Sequence, residues 1–177
     1  MDNKKEKILY SRETIMERIR ELAKDLDKVY EGKDLLVIGL LRGSFIFLAD
    51  LIREMDSLME VDFLTTSSYE NREISSGEVK IFHDLRAPVE GRHVLIVDDI
   101  ADTGHTLSQV VDHIGAMKPA SLKTCVLLDK PDRRQVEIDP DYVAFRIPDL
   151  FIVGYGLNYG AHYRNIPYIY AYIDDED

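Results

Sequence analysis

Asp98, Asp99 and Asp102 stand within five residues of one another in "VLIVDDIADTGHTL", behind four apolar residues and ahead of Thr103, Gly104, His105 and Thr106. Ionised carboxylates only accept hydrogen bonds, so such a group suits sugar hydroxyls, or a hard cation such as Mg2+ that also holds phosphates. Thr103, Gly104 and Thr106 add two hydroxyls and several backbone N–H groups where the next helix begins, and the positive end of a helix favours an anion there. One acid could simply cap that helix. Three at this spacing, backed by Thr-Gly-x-Thr, read as more than a cap: a phosphate cradle beside acids that suit sugar hydroxyls or a phosphate-holding cation. Two further apolar runs end in loaded text: "LLRGS", with Arg42 and Gly43, and "LLDKPDRR", with Lys130. Taken alone, Lys130 reads equally well as a surface lysine after a strand, Phe151 and Ile152 as core residues of "FIVG", and His105 as a solvent-facing side chain. His83, His93, His105, His113 and His162 show no paired ligand spacing, and the lone Cys125 completes no zinc set.

The elements that must hold these residues alternate. Ser11 is placed as an N-cap, and Ile15, Ile19, Leu22, Ala23, Leu26 and Val29 recur at helical spacing up to Gly32. "LLVIGLL", Leu35 to Leu41, is continuously apolar, as in a strand covered on both faces, and Phe45, Leu48 and Ile52 form a second helical face. Met59 to Ser68 reads as a strand. From Tyr69 to Glu78 apolar residues almost vanish, which predicts a long mobile loop. "HVLIVDD" is the next strand, and Leu107, Val110, Val111, Ile114 and Met117 form a helix face ending before Pro119. Leu122 to Leu128 is another buried strand, and from Tyr142 the chain breaks into the short pieces "YVAFRI", "LFIVGYGL" and "YIYAYI". Alternating strands and helices predict one α/β domain over 1–177 with a largely parallel sheet, in which ligands bind at the carboxyl ends of strands. The three loaded segments all fall at such ends.

Composition narrows the partners. The 177 residues carry a formal net charge of −11, which disfavours nucleic acid and anionic membranes, and Asp174 to Asp177 read as a solvated tail. With 45% hydrophobic and 31% charged residues the chain reads as a soluble globular protein. No segment approaches the roughly 20 apolar residues of a membrane span, and "MDNKKEKILYSRE" has no apolar core of a signal peptide. A single cysteine inside "CVLL" permits no internal disulfide, is expected to be buried and inert, and fits a cytoplasmic protein.

"VLIVDDIADTGHT" resembles the phosphoribosyl pyrophosphate motif of type I phosphoribosyltransferases, in which a hydrophobic strand leads to two acids, two variable residues, Asp and Thr-Gly-x-Thr. "LLRGSFIFLADL", "VDFLTTSSY", "LLDKP" and "IPDLFIVGYGLNYGAHYRNIPYI" are similar to the 6-oxopurine (hypoxanthine) branch, in the family's order, from about Leu35 to Ile169. The resemblance implies an α/β core flanked by helices, a small hood made by the N- and C-terminal segments, and a lid loop over 68–79 that carries Ser68 and Tyr69. It implies transfer of a phosphoribosyl group from phosphoribosyl pyrophosphate to hypoxanthine or guanine, with Mg2+ as cofactor, by a homodimer or homotetramer.

Site roles follow from the same resemblance. Asp98 and Asp99 would hold the ribose hydroxyls, directly or through Mg2+, and Asp102 would sit near purine N7 as a proton acceptor or hydrogen-bonding partner. Asp102, Thr103, Gly104, His105 and Thr106 would wrap the 5′-phosphate. Arg42, Gly43 and Arg164 would bind pyrophosphate, with a cis peptide before Arg42. Lys130 would donate to the purine 6-oxo group, Phe151 would stack on the ring and the Ile152 backbone would read its edge. Three residues depart from the branch: Asp98 where Glu is usual, Ser44 where a second Gly is frequent, and Asn158 where an Asp associated with metal is usual. An amide oxygen can still ligate Mg2+, so Asn158 joins Asp98 and Asp99 in the expected metal set. Two rivals stand beside it on sequence grounds: a donor- or nucleotide-sensing regulatory protein on the same fold, and a Mg2+-dependent phosphoryl-transfer or receiver-like domain.

Overall fold

Continuously apolar strands let one sheet bury both of its faces, and that sheet organises the molecule. The computed structural model describes residues 4–67 and 80–174. In chain order the elements are β1 (Lys4–Tyr10), α1 (Arg12–Tyr30), β2 (Leu35–Leu41), α2 (Phe45–Glu54), β3 (Met59–Ser67), β4 (Lys80–His83), β5 (His93–Ala101), α3 (His105–Gly115), β6 (Ser121–Asp129), β7 (Tyr142–Arg146), β8 (Ile152–Val153) and β9 (Ile169–Asp174). A 3-10 turn, Pro131–Arg133, follows β6.

The main sheet has the order β4-β3-β2-β5-β6-β7. Its last five strands run parallel, and only the edge strand β4 is antiparallel. Along β2, Leu35 and Val37 face one core with α1 and α2, while Leu36 and Ile38 face the other with α3. β5 repeats the division, with Leu95 and Val97 opposed to Val94 and Ile96. The chain moves outward from β2 to β3 and then returns to place β5 on the other side of β2. This reversal opens a crevice at the carboxyl ends of β2 and β5, the switch point at which α/β sheets bind ligands.

Ser11 caps α1 by accepting the Thr14 N–H at 3.2 Å, and Gly32, at φ +68°, provides the left-handed residue that ends it. Tyr30 joins the expected buried face, and Val29 is only partly covered. In α2 the buried residues are Phe47, Leu48 and Leu51, so Phe45, expected on the apolar face, points outward. Cys125 is fully buried and its thiol is pushed up to about 12 by desolvation, which makes it inert as expected.

A second, antiparallel sheet of order β1-β9-β8 brings the two ends of the chain together as the hood. Asp174, expected in a free tail, instead pairs with Lys4 at the end of β9. Ser68, Tyr69 and the rest of the expected lid lie outside the described residues, as do 175–177.

Candidate active site

The first group of side chains gathers where β2 and β5 end. β5 does not stop at the paired acids: the ladder with β6 continues through Asp98↔Val126 to Ala101↔Asp129, so Asp98 and Asp99 sit in the strand and not in the loop behind it. Asp98 is buried, and burial together with the adjacent Asp99 carboxylate holds its pKa well above the usual carboxylate range. Asp99 is also raised by burial, against which the Asp98 side chain, backbone N–H groups and the Arg164 guanidinium act. Arg164 in turn is lowered by desolvation and by the nearby Arg42, with Asp99 opposing. Two acids and two arginines therefore share one electrostatic neighbourhood.

Glycine makes that approach possible. A Cβ on Gly43 would overlap the Asp99 carboxylate, and one on Gly156, whose φ is +100°, would overlap the Gly43 carbonyl. Arg164 Nη1 donates to the Gly156 carbonyl at 2.6 Å, and the Gly156 N–H donates to the Arg164 carbonyl at 2.9 Å. The buried Tyr155 hydroxyl donates to Asp50 of α2, fastening this loop to the helix behind Gly43. The Leu41–Arg42 peptide is cis, as the resemblance implied. Ser44, in place of a second glycine, is fully buried and donates from Oγ to the Leu40 carbonyl at 2.6 Å, so its hydroxyl serves the turn and not the crevice.

Asp102 to Thr106 form the turn into α3, with Gly104 at φ +90° in the N-cap position. Arg134 Nη1 donates to the Asp102 carbonyl at 2.6 Å, the Gln135 N–H donates to the Thr103 carbonyl at 2.9 Å, and a Cβ on Gly104 would crowd Arg134, Val136 and Ile138. The segment after β6 thus braces the backbone of the turn 102–106. His105, read alone as solvent-facing, is half-buried, with Nε2 3.2 Å from Gln135 Oε1.

The residues that the resemblance assigns to the purine lie near the end of β6 and in the segment leading into β8. Lys130 is 7% exposed, not a surface lysine, and its Nζ donates to the Leu150 carbonyl at 2.6 Å, 3.7 Å from Asp149 Oδ1. Phe151, which the "FIVG" pattern placed in the core, is 51% exposed; its ring centroid lies 5.4 Å from that of Tyr159 and 6.2 Å from that of Tyr172. Ile152 is buried in β8. Asn158 is exposed and its amide nitrogen donates to the Gly160 carbonyl at 2.6 Å. Among the described residues, no group of three or more His, Cys, Asp or Glu side chains could hold a metal alone. Residues that sequence reasoning passed over include Asp129, buried and paired with Arg134, and Asp149, set between Lys130 and Arg133. The run "DKPDRR" carried the only signal for the two arginines.

Comparison with known proteins agrees with this geometry. The family model described as a phosphoribosyl transferase domain matches residues 6–160. A hypoxanthine-guanine phosphoribosyltransferase from Aquifex aeolicus is 47% identical, over 97% of this chain and 97% of its own. A bifunctional protein TilS/HprT from Listeria monocytogenes is 51% identical over 96% of this chain, which spans only 26% of that longer relative. A crystal structure of a hypoxanthine phosphoribosyltransferase from Staphylococcus aureus superposes with a TM-score of 0.90 at 43% identity, covering 93% of this chain and 90% of that one. With the switch-point crevice, the acids of β5 and the hood all accounted for, the chain belongs to the phosphoribosyltransferase family, in its hypoxanthine branch.

Proposed function

We propose that the protein salvages purines by transferring the 5-phosphoribosyl group of phosphoribosyl pyrophosphate to hypoxanthine and to guanine, giving IMP or GMP and pyrophosphate. The observation that carries the base preference is Lys130. A buried ammonium fixed to the Leu150 carbonyl keeps donors for a 6-oxo group, which adenine lacks. The exposed face of Phe151 supplies a stacking surface, and the Ile152 backbone reads the ring edge.

On the donor side Asp98 and Asp99 take the ribose hydroxyls, and their charge favours a sugar that becomes cation-like as pyrophosphate departs. Asp102 accepts the N7 proton, the turn 102–106 wraps the 5′-phosphate, and Arg42, Gly43 and Arg164 receive the pyrophosphate. The Asp98 and Asp99 carboxylates and the Asn158 amide are hard oxygen donors suited to Mg2+, which would be completed by substrate oxygens as is usual for this ion. Bound there, Mg2+ would neutralise charge on the departing pyrophosphate. No helix among the described residues is long and apolar enough to cross a membrane. Action in the cytoplasm, as a homodimer or homotetramer that binds neither nucleic acid nor membrane, completes the proposal.

The test is nucleotide formation from phosphoribosyl pyrophosphate and Mg2+ with hypoxanthine, guanine, xanthine, adenine, uracil and orotate offered separately. Product from hypoxanthine and guanine is expected; product from uracil or orotate alone overturns the Lys130 argument. Asp102→Asn should lower turnover by about 10²-fold or more with donor binding retained, since the shape stays while the basic oxygen is lost.

A further inference from the structure

Four charged side chains alternate in sign across the purine side of the site. Lys130 Nζ lies 3.7 Å from Asp149 Oδ1, Asp149 Oδ2 lies 3.4 Å from Arg133 Nη1, and Arg133 Nε donates to Asp102 Oδ1 at 3.0 Å. Each Asp149 oxygen thus faces a different cation, and Arg133 uses different nitrogens for its two acids. The 3-10 turn at Pro131–Arg133 sets this up: the Arg133 N–H returns to the Lys130 carbonyl at 3.1 Å, so Lys130 and Arg133 leave the same short turn. Arg134 holds the Asp102 carbonyl, and Arg133 holds its carboxylate.

We propose that Arg133 is the positioning residue for Asp102, and that Asp149 ties this orientation to that of Lys130. The inference rests on the base role proposed above for Asp102. Arg133 and Asp149 side chains are 44% and 52% exposed, and ion pairs so open to solvent add little to stability. What they fix is direction. A carboxylate hydrogen-bonded through Oδ1 presents its other oxygen at a defined place, and the opposite end of the chain aims the Lys130 ammonium, so one array holds the groups that meet N7 and the 6-oxo oxygen. A general base acts only when its oxygen is within hydrogen-bond reach of the proton it takes, which makes orientation a rate factor.

A double-mutant cycle in the nucleotide-forming reaction tests this, with donor and Mg2+ saturating. Arg133→Gln should lower kcat and kcat/KM for hypoxanthine together by about tenfold with KM nearly constant, the signature of a contact used in the transition state. Arg133→Lys should recover part of the loss, and Asp149→Asn should show a smaller loss in the same sense. In the Asp102→Asn background Arg133→Gln should cost nothing further. Overturning results are an unchanged or raised kcat in Arg133→Gln, a raised KM at constant kcat, or the full loss repeated in the Asp102→Asn background. Thermal midpoint and donor affinity of each variant, both expected to match the parent, exclude misfolding as the cause. Undiminished turnover in Asp102→Asn would remove the base role and this inference with it; a slowed Asp102→Asn beside an unaffected Arg133→Gln removes the inference alone.

Discussion

Single atoms decide the proposed donor side. Gly43 has the Asp99 carboxylate where its Cβ would be, and its own carbonyl fills the place of a Cβ on Gly156. Gly43→Ala must displace either the acid or the loop, and misplacement by an ångström can cost about 10²-fold in rate. A fall of that order in kcat/KM for the donor is expected from steady-state kinetics with the donor varied. Asn158 poses the opposite question, because it is exposed and brings an amide where a charge would strengthen a metal site. Asn158→Asp is expected to lower the Mg2+ concentration for half-maximal activity several-fold; an unaltered titration removes Asn158 from the metal set. Lys130 belongs here too, since burial is what separates it from the many surface lysines that follow strands.

At the scale of elements the hood carries Phe151 and Ile152, the residues proposed to bind the purine. β9 is its central strand, with Lys4, Glu6 and Ile8 of β1 opposite Asp174, Tyr172 and Tyr170, and with Ile152 and Val153 of β8 on the other side. The Tyr172 N–H donates to the Phe151 carbonyl at 3.2 Å, and the two rings stack. Deleting residues 1–7 strips most of one edge of β9 and loosens the support of Phe151. The KM for the purine should then rise several-fold while that for the donor, whose proposed site lies on the main sheet, stays within twofold. Equal changes in both constants would show that the hood acts on the whole domain instead.

For the molecule as a whole, acid sensitivity follows from carboxylates that fasten loops. Asp62 accepts the backbone N–H groups of Ala87, Phe63 and Arg86 at 2.8, 2.8 and 2.7 Å, and Asp27 accepts those of Asp56 and Ser57 at 2.9 Å. Burial pushes both acids up, but these hydrogen bonds outweigh it and hold each below the usual carboxylate value. A depressed folded-state value means that the stabilisation is complete above the unfolded value of about 3.9 and is lost as pH falls through the folded one. Asp62→Asn should therefore lower the thermal midpoint by about 2–4 °C at pH 7, with the gap to the parent closing below about pH 4. A gap that stays constant with pH would mean that ionised Asp62 is not the source.

Local text determined a good deal of this protein. Continuous apolar runs marked β2, β5 and β6, 3.6-residue spacing marked α1 and α3, and the order of acids and Thr-Gly-x-Thr marked the donor motif, because each is written in neighbouring residues. What tertiary structure decided lies between segments far apart in the chain. The lysine-rich β1 reads as polar text and is a strand only because β9, some 160 residues later, offers it a partner. Lys130 is buried and Phe151 exposed only because the end of β6 meets the loop before β8. Sequence spacing sets which side chains share an element, while packing sets which elements share a crevice, so the array from Lys130 to Asp102 became visible only in three dimensions.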